Sequence, residues 1–416
     1  MDRNLRLLSV GVAVRTFGIA LYFPFLALFL HHDLDVGYLE IGVIIVGVGL
    51  VQLPFNVLGG LLTDRIGRRR LILFGLASEA VATAALAYAF ALQSLVGAIA
   101  AATVGGIITT AAGPAFSAYI ADFAEGPDRT RGFTWFRIGF NAGFAVGVTI
   151  GGVLISFVGF AGSVAAAAAV VTTGTVVLFV RLDPSPFDRE VAGRTGPVPP
   201  QGSATPPAAR RGIRESLLLL VRDRVALQVL VAVVLASLVL GQWAVTFPLY
   251  VHDFLGISYF VLGLGLALNG LIVVFGQAAM TESVLGRRHT TIAIAGISLY
   301  VVAFLALGVA GLGPFFPIPI FILAVVVMTL GENLVTIPQT TLPSNMAPPG
   351  EIGSYNGAFG LAGGLGFLAS VFVGGWVLST GGNSLLIWTL LVLPAVPSIL
   401  LFRLAARRLA PEIDRA

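Results

Sequence analysis

Apolar residues in this chain are concentrated in twelve long runs, which are separated by short stretches of polar residues, glycine and proline. An α-helix needs about 20 apolar residues to cross a bilayer, and each run reaches or approaches that length. The pattern predicts an all-α membrane protein with twelve transmembrane helices, numbered here as spans 1 to 12. The runs cover residues 7–30, 39–62, 71–92, 95–120, 134–157, 160–180, 225–251, 259–281, 292–312, 317–342, 358–378 and 385–402.

The composition supports a membrane protein and excludes several classes of chemistry. Hydrophobic residues make up 57% of the chain and charged residues 11%, whereas soluble domains carry about 25% charged residues. The chain has no cysteine, and all 24 of its Lys and Arg residues are arginine. Thiolate metal sites, iron–sulfur clusters, a P-loop lysine and a Schiff-base lysine are therefore excluded. We expect no enzyme activity, cofactor, bound metal or nucleic-acid partner.

Arginine placement predicts the orientation of the chain in the membrane. Arginines occur in both termini, in alternate loops and in the central segment, whereas loops 31–38, 93–94, 158–159, 252–258, 313–316 and 379–384 contain none. Because cytoplasmic loops retain positive charge, both termini are predicted to lie in the cytoplasm. The expected location is the cell membrane.

The chain is predicted to consist of two related halves. Residues 182–214 contain seven prolines and predict a flexible cytoplasmic linker between an N-terminal six-helix bundle, residues 1–181, and a C-terminal one, residues 215–416. In span 5, residues 143–152 match residues 366–375 of span 11 at five of ten positions. Two pseudo-symmetric bundles joined in this way can rock around a central path.

The loop between spans 2 and 3 carries a recognisable motif. It reads Gly-Leu-Leu-Thr-Asp-Arg-Ile-Gly-Arg-Arg-Arg over residues 60–70. It resembles the signature loop of the major facilitator superfamily, and with twelve spans the resemblance covers the whole chain. The resemblance implies that Asp64 caps the start of span 11 and that Arg68 pairs with Asp122. The implied gating residues in and near the loop are Gly60, Asp64, Arg65, Gly67, Arg68 and Asp122, and the alternative is an anchor that only sets topology.

Span 5 resembles the drug:proton antiporter branch of this family. The matching glycines are Gly143, Gly147, Gly151 and Gly152, but Val148 stands where the branch has proline. The arginine of that branch in span 4 is also missing, and Arg137 with Asn141 is a candidate replacement. The sugar-porter branch is less favoured because its acidic motif after span 6 is not found.

Three charged residues lie deep within predicted spans, namely Arg15, Glu79 and Glu332. A charge costs at least about 2.5 kcal/mol at that depth, so each needs an explanation. Proton coupling requires a group that changes charge, which leaves the carboxylates. Glu332 is the first candidate and Glu79 the second, with a fixed salt bridge or hydrogen bond as the alternative. Arg15 has two open roles: it binds an anionic substrate, or it pairs with an ionised carboxylate.

Polar side chains on the spans expected to line the path are candidates for substrate contact. The alternative role of each side chain is packing or an interhelical hydrogen bond. Aromatic and amide groups among apolar walls suit a lipophilic, cationic compound. The candidates are Arg15, Tyr22, Gln52, Asn56, Arg137, Asn141, Gln242, Trp243, Asn269, Gln277, Asn333, Tyr355 and Asn356.

The sequence thus predicts a secondary transporter that works by alternating access, as a monomer driven by the proton gradient. Its expected partners are a small-molecule substrate, protons and the lipid bilayer, and its expected activity is efflux of hydrophobic or drug-like compounds. Two alternatives remain open. One is an importer or facilitator of a small polar or anionic solute, and the other is a transport-inactive receptor or lipid-handling scaffold on the same fold.

Overall fold

The structure, a computed structural model, describes residues 2–123, 126–192, 223–313, 316–348 and 352–415. Every named element in these ranges is a helix, which confirms the all-α prediction. The helices of the first half are α1 (Arg3–Ala20), α2 (Leu26–His32), α3 (Tyr38–Ile66), α4 (Arg68–Ala91), α5 (Leu95–Phe123), α6 (Gly126–Arg181) and α7 (Pro186–Ala192).

The second half repeats this arrangement of long apolar helices. Its helices are α8 (Arg224–Leu240), α9 (Thr246–Asp253), α10 (Tyr259–Val284), α11 (His289–Ala310), α12 (Pro317–Met346), α13 (Ile352–Ser379), α14 (Ser384–Val392) and α15 (Ala395–Ala406). Short 3₁₀ turns interrupt the first span of each half, at Phe23–Phe25 and at Gly241–Ala244. A proline follows or lies within each interruption, where its missing N–H removes a helical hydrogen bond.

Eleven helical stretches of the described chain are long and apolar enough to cross a membrane. One of them, Gly132–Arg181, has 50 residues and measures about 75 Å at the usual rise of an α-helix, more than twice the hydrocarbon thickness of a bilayer. Its backbone leaves the helical conformation at Gly159, with φ 69° and ψ 179°. Glycine tolerates this positive φ without steric cost. The break lies where the sequence predicts the turn between spans 5 and 6.

The chain divides into two compact units. The first comprises Met1–Val36, Val43–Gly202 and Ser258–Leu271, and the second comprises Gly37–Gly42, Ser203–Ile257 and Ile272–Ala416. In the second unit, the Tyr38 hydroxyl donates a hydrogen bond of 2.9 Å to Asp253. The predicted boundaries of the two bundles, 1–181 and 215–416, stay a prediction.

The first part of the predicted flexible linker, residues 182–214, contains a short helix and hydrogen bonds to the start of α4, and the linker as a whole stays a prediction. Helix α7 begins at Pro186, and the Asp188 carboxylate accepts hydrogen bonds from the backbone N–H groups of Arg68 and Arg69 at 2.6 and 3.0 Å. Composition indicated a segment without a core of its own, and these contacts join its first part to α4. The remainder of the predicted linker, residues 193–214, lies outside the described residues.

The end of the first unit near residues 60–70 has a packed apolar core. Leu8 of α1, Ile72 of α4, Tyr119 of α5 and Leu178 of α6 are buried together there. Residues from four helices meet in this cluster.

Candidate functional site

An ion pair joins α1 to α4 inside the first unit. Arg15 donates from Nε and from one terminal nitrogen to the two carboxylate oxygens of Glu79, at 2.5 and 2.8 Å. The side chains of Arg15 and Glu79 are 25% and 10% exposed. Tyr22 lies close enough to interact electrostatically with both charges. Of the two roles left open for Arg15, the structure contains the pairing with a carboxylate.

The second unit places Glu332 of α12 at a cavity of about 200 Å³. Trp243, Tyr300 and Gln339 line the same cavity. The cavity therefore combines a carboxylate with an indole, a phenol and an amide. Ser237, Leu240, Gly241, Val335, Thr336 and Phe367 complete its wall.

A larger and more apolar cavity of about 320 Å³ lies in the same unit. Val335 and Gln339 line both cavities, so the two are adjacent. Asn356, a predicted contact, lines the larger one and donates a hydrogen bond of 2.8 Å to Ser344. Small-molecule sites in proteins measure about 300 to 1,000 Å³ and are mostly apolar with a few polar groups. The pair of cavities, called here the two-lobed site, fits that description.

Asn333, the neighbour of Glu332, faces α10. It is fully buried, its side-chain amide donates to the Ile272 carbonyl at 3.4 Å, and Gln277 donates to the Asn333 carbonyl at 3.4 Å. The Asn333 Oδ1 atom has no hydrogen-bond partner among the described residues. Asn333 and Gln277, both predicted substrate contacts, thus connect α10 with α12, and neither lines the two-lobed site.

The ion pair that the family resemblance implies joins the start of α4 to the end of α5. Arg68 Nε lies 3.2 Å from Asp122 Oδ2, and the Arg68 guanidinium stacks 3.3 Å above the Phe187 ring. Gly67 has a φ of 97°, a backbone conformation that glycine adopts without steric cost. Arg65 is exposed, and the Asp64 side chain lies outside the described residues. The gating role of the loop stays a prediction.

The glycine that brings α3 close to α5 is Gly59, and the implied gating role of Gly60 stays a prediction. A methyl group added at Gly59 would lie 2.0 Å from the Ala111 carbonyl oxygen, whereas Gly60 faces open space. Adjacent positions on a helix point about 100° apart, so only one of two neighbouring glycines can face a given helix.

Three glycines of span 5 lie on one face of α6, and this face packs closely against the backbone of α1. A Cβ at Gly143, Gly147 or Gly151 would approach the backbone oxygens of Ala13, Phe17 and Leu21 to 2.2, 2.5 and 2.4 Å respectively. Their spacing of four residues keeps them on one face. Gly152 points elsewhere, toward the Tyr259 backbone. All four are close-packing positions in this structure.

Several other predicted contacts are engaged in interhelical hydrogen bonds. Gln52 donates to the Ala102 carbonyl at 3.3 Å, and Tyr355 donates to Asp223 at 3.2 Å. Gln242 is 1% exposed; its amide donates to the Ser370 carbonyl and its oxygen accepts from Thr246. The remaining candidates lie away from the two-lobed site or are not described: Asn269 is buried, Arg137 is exposed, Asn141 is half-buried, and the Asn56 side chain lies outside the described residues.

Sequence reasoning missed two side chains of the two-lobed site, Tyr300 and Gln339. Gln339 lies two turns from Glu332 on α12, a spacing that keeps both on one face of a helix. That spacing was a usable signal. Tyr300 comes from α11, and nothing in its local sequence sets it apart from a packing residue.

A duplicated set of long apolar helices with a cavity inside one unit is typical of polytopic membrane transporters. The chain matches the family model of the Major Facilitator Superfamily over residues 8–371. It belongs to that family, whose members are secondary transporters.

The relatives of this chain in the family are named for different activities, or for none. The chain is 24% identical to the uncharacterized MFS-type transporter YttB of Bacillus subtilis, covering 94% of this chain and 93% of YttB. It is 26% identical to a Na⁺, Li⁺, K⁺/H⁺ antiporter of Planococcus maritimus over 86% of both chains. A shorter match, 25% identical over 36% of this chain and 38% of the relative, is to the quinolone resistance protein NorA of Staphylococcus aureus.

Solved transporter structures share the fold. A POT family transporter in complex with 5-aminolevulinic acid superposes with a TM-score of 0.76 at 15% identity, covering 98% of this chain and 97% of the other. The nucleoside transporter NupG gives a TM-score of 0.76 at 14% identity over 98% of this chain and 100% of NupG. At these identities the likeness concerns the fold alone, because one fold serves many substrates.

Proposed function

We propose that this chain is a proton-coupled exporter of small hydrophobic compounds that works by alternating access in the cell membrane. The observation that carries the proposal is the two-lobed site. Its apolar lobe suits a hydrophobic body, and the lobe with Glu332 and Trp243 suits a cationic or hydrogen-bond-donating group. The partial match to a quinolone resistance protein supports the same substrate class.

The proposed topology has twelve crossings with both termini in the cytoplasm, and the protein acts as a monomer. The length of the helical stretch Gly132–Arg181 and its break at Gly159 support counting it as two crossings. The distribution of arginine supports the orientation. In this proposal, residues 1–181 and 215–416 are the two moving bundles, and the Arg68–Asp122 pair belongs to the gate.

Glu332 is the proposed proton carrier. A carboxylate that lines a cavity can exchange a proton for a substrate group, and the membrane potential contributes about 2.3 kcal/mol per charge per 100 mV to such an exchange. Glu79 is the weaker candidate because both of its oxygens are engaged by Arg15. The proposal needs no cofactor, since the proton gradient supplies the energy.

Exchange of monovalent cations for protons is a second candidate function. The antiporter of Planococcus maritimus matches this chain over most of its length. In this chain, the buried Oδ1 atom of Asn333 is without a hydrogen-bond partner in the described residues, and Asn333 directly follows the proposed proton carrier in the sequence. Amide oxygens are suitable ligands for hard cations.

The test uses proteoliposomes with an imposed pH gradient and a pH-sensitive dye inside. Lipophilic cations, neutral hydrophobic drugs, Na⁺, K⁺, sugars and organic anions are added in turn to the wild type, to Glu332→Gln and to the matched control Glu282→Gln. Glu282 lies exposed at the end of α10. We expect lipophilic compounds to evoke proton movement in the wild type and the control, and Glu332→Gln to lose it while still binding the compound.

Other outcomes would replace the proposal. Proton movement evoked only by Na⁺ or K⁺ supports the second candidate. A sugar or organic anion carried equally by the wild type and Glu332→Gln, with counterflow and without proton movement, identifies a facilitator. Binding without transport of any compound identifies a receptor.

A further inference from the structure

The first turn of α4 is capped by a residue from the segment that follows α6. Asp188 accepts hydrogen bonds from the backbone N–H groups of Arg68 and Arg69 and from the N–H of Ser185 at 2.9 Å. The first N–H groups of a helix have no partner within the helix and need one from outside. Residues 182–189, called here the first strap, supply that partner.

The motif loop packs closely against this contact. A Cβ at Gly67 would lie 2.6 Å from the Asp188 carboxylate oxygen, and Gly67 also has a positive φ. The Ser185 hydroxyl donates a hydrogen bond of 2.7 Å to Asp122, the partner of Arg68. The first strap therefore contacts both members of the ion pair, Arg68 and Asp122.

The second half contains the same arrangement, made by residues 410–415 near the C-terminus, called here the second strap. The first N–H of α11, on His289, donates to the Asp414 carbonyl at 2.6 Å. The next, on Thr290, donates to the Asp414 carboxylate at 2.9 Å, and the Thr290 hydroxyl donates to its other oxygen at 2.7 Å. Asp414 is fully buried.

Equivalent arginines of the two Gly-Arg-Arg triplets bind the straps. Arg69 donates to the carbonyls of Leu182 and Phe179 at 2.6 and 2.9 Å, and Arg288 lies 3.1 Å from the Asp414 carboxylate. Each half thus has one arginine and one aspartate that connect its last helix to the start of its third span. The internal duplication extends to segments whose sequences show no obvious similarity.

We propose that Asp188 and Asp414 are positioning residues, and that each strap fixes the loop before the third span to its own bundle so that loop and bundle move together. In this proposal, the second strap takes part in the change of conformation that transport requires. Loosening a strap slows the change of conformation and leaves the substrate site intact, because the two-lobed site does not include strap residues.

The test compares Asp414→Ala, Asp414→Asn and the tail control Glu412→Gln with the wild type. Glu412 is exposed, so the control removes a charge from the same tail and spares the cap. We expect hydrogen exchange at Thr290, whose N–H donates to the Asp414 carboxylate, to rise about tenfold in Asp414→Ala, the effect of losing one N-cap. Asp414→Asn keeps one acceptor oxygen and should give a smaller rise. Exchange at Arg68 and Arg69 should not change.

The functional readout is the rate of conformational exchange, followed by single-molecule fluorescence between two introduced cysteines. The chain has no native cysteine, so labelling is specific and no substrate needs to be known. We expect slower exchange in both Asp414 variants, and the same for Asp188→Asn with its control Asp183→Asn. Unchanged hydrogen exchange at α11, or raised hydrogen exchange with an unchanged conformational rate in the folded Asn variant, would overturn the proposal.

Discussion

The two halves of this chain treat an acidic residue inside the helix bundle in different ways. In the first unit, both carboxylate oxygens of Glu79 receive hydrogen bonds from Arg15. In the second unit, Glu332 lines a cavity together with Trp243 and Tyr300. A bidentate pair fixes two charges in one geometry, whereas a carboxylate at a cavity can accept a ligand. These different surroundings separate a structural acid, Glu79, from a candidate functional acid, Glu332. The depth of each residue within its span does not distinguish them.

The largest effect that separates the two acids should be on stability. Glu79→Gln leaves the Arg15 charge without its partner and should reduce the free energy of unfolding by about 3 kcal/mol, as expected for breaking a largely buried ion pair. Arg15→Gln should cost a similar amount. The double variant should recover most of the loss, because no isolated charge remains. Denaturant unfolding of the purified protein in detergent measures all four species.

The matched comparison for this cycle is Glu332→Gln. We expect it to reduce the free energy of unfolding by about 1 kcal/mol, the centre of the range for single substitutions, which is less than the loss for Glu79→Gln, because Glu332 lines a cavity. Equal losses for Glu79→Gln and Glu332→Gln would mean that both acids are structural, and the contrast between the halves would disappear.

A smaller effect should distinguish two tryptophans of the second half. Trp243 lines the lobe that contains Glu332, whereas Trp376 is 53% exposed on α13. Trp243→Leu should weaken binding of a lipophilic cation about fivefold, because a cation–π contact contributes about 1 kcal/mol. Trp376→Leu should leave affinity unchanged. Isothermal titration with the substrate identified in the liposome test decides this, and an equal loss in both variants would remove Trp243 from the site.

Much of the architecture was predictable from local sequence signals. The apolar runs predicted the helices, the motif loop indicated the family, and the family resemblance implied the pair of Arg68 and Asp122. These features depend on residues that are close in sequence, or on a pair of residues that the family resemblance implies.

The features that sequence reasoning missed depend on partners far apart in the chain. Asp188 contacts residues 119 and 120 positions away, and Asp414 contacts Thr290 across 124 positions. The same limit left the role of Arg15 open, because nothing in its own span indicates Glu79. The choice between Gly59 and Gly60 depends on helix rotation, which a run of uniformly apolar residues does not define.

The measurement that tests the central claim most directly is the release of protons when substrate binds to the purified protein in weakly buffered detergent solution. If Glu332 exchanges its proton for the substrate, binding should release protons from the wild type and from the Arg15→Gln/Glu79→Gln double variant. Glu332→Gln should bind substrate and release none. Proton release that persists in Glu332→Gln would contradict the account and move the coupling to another group.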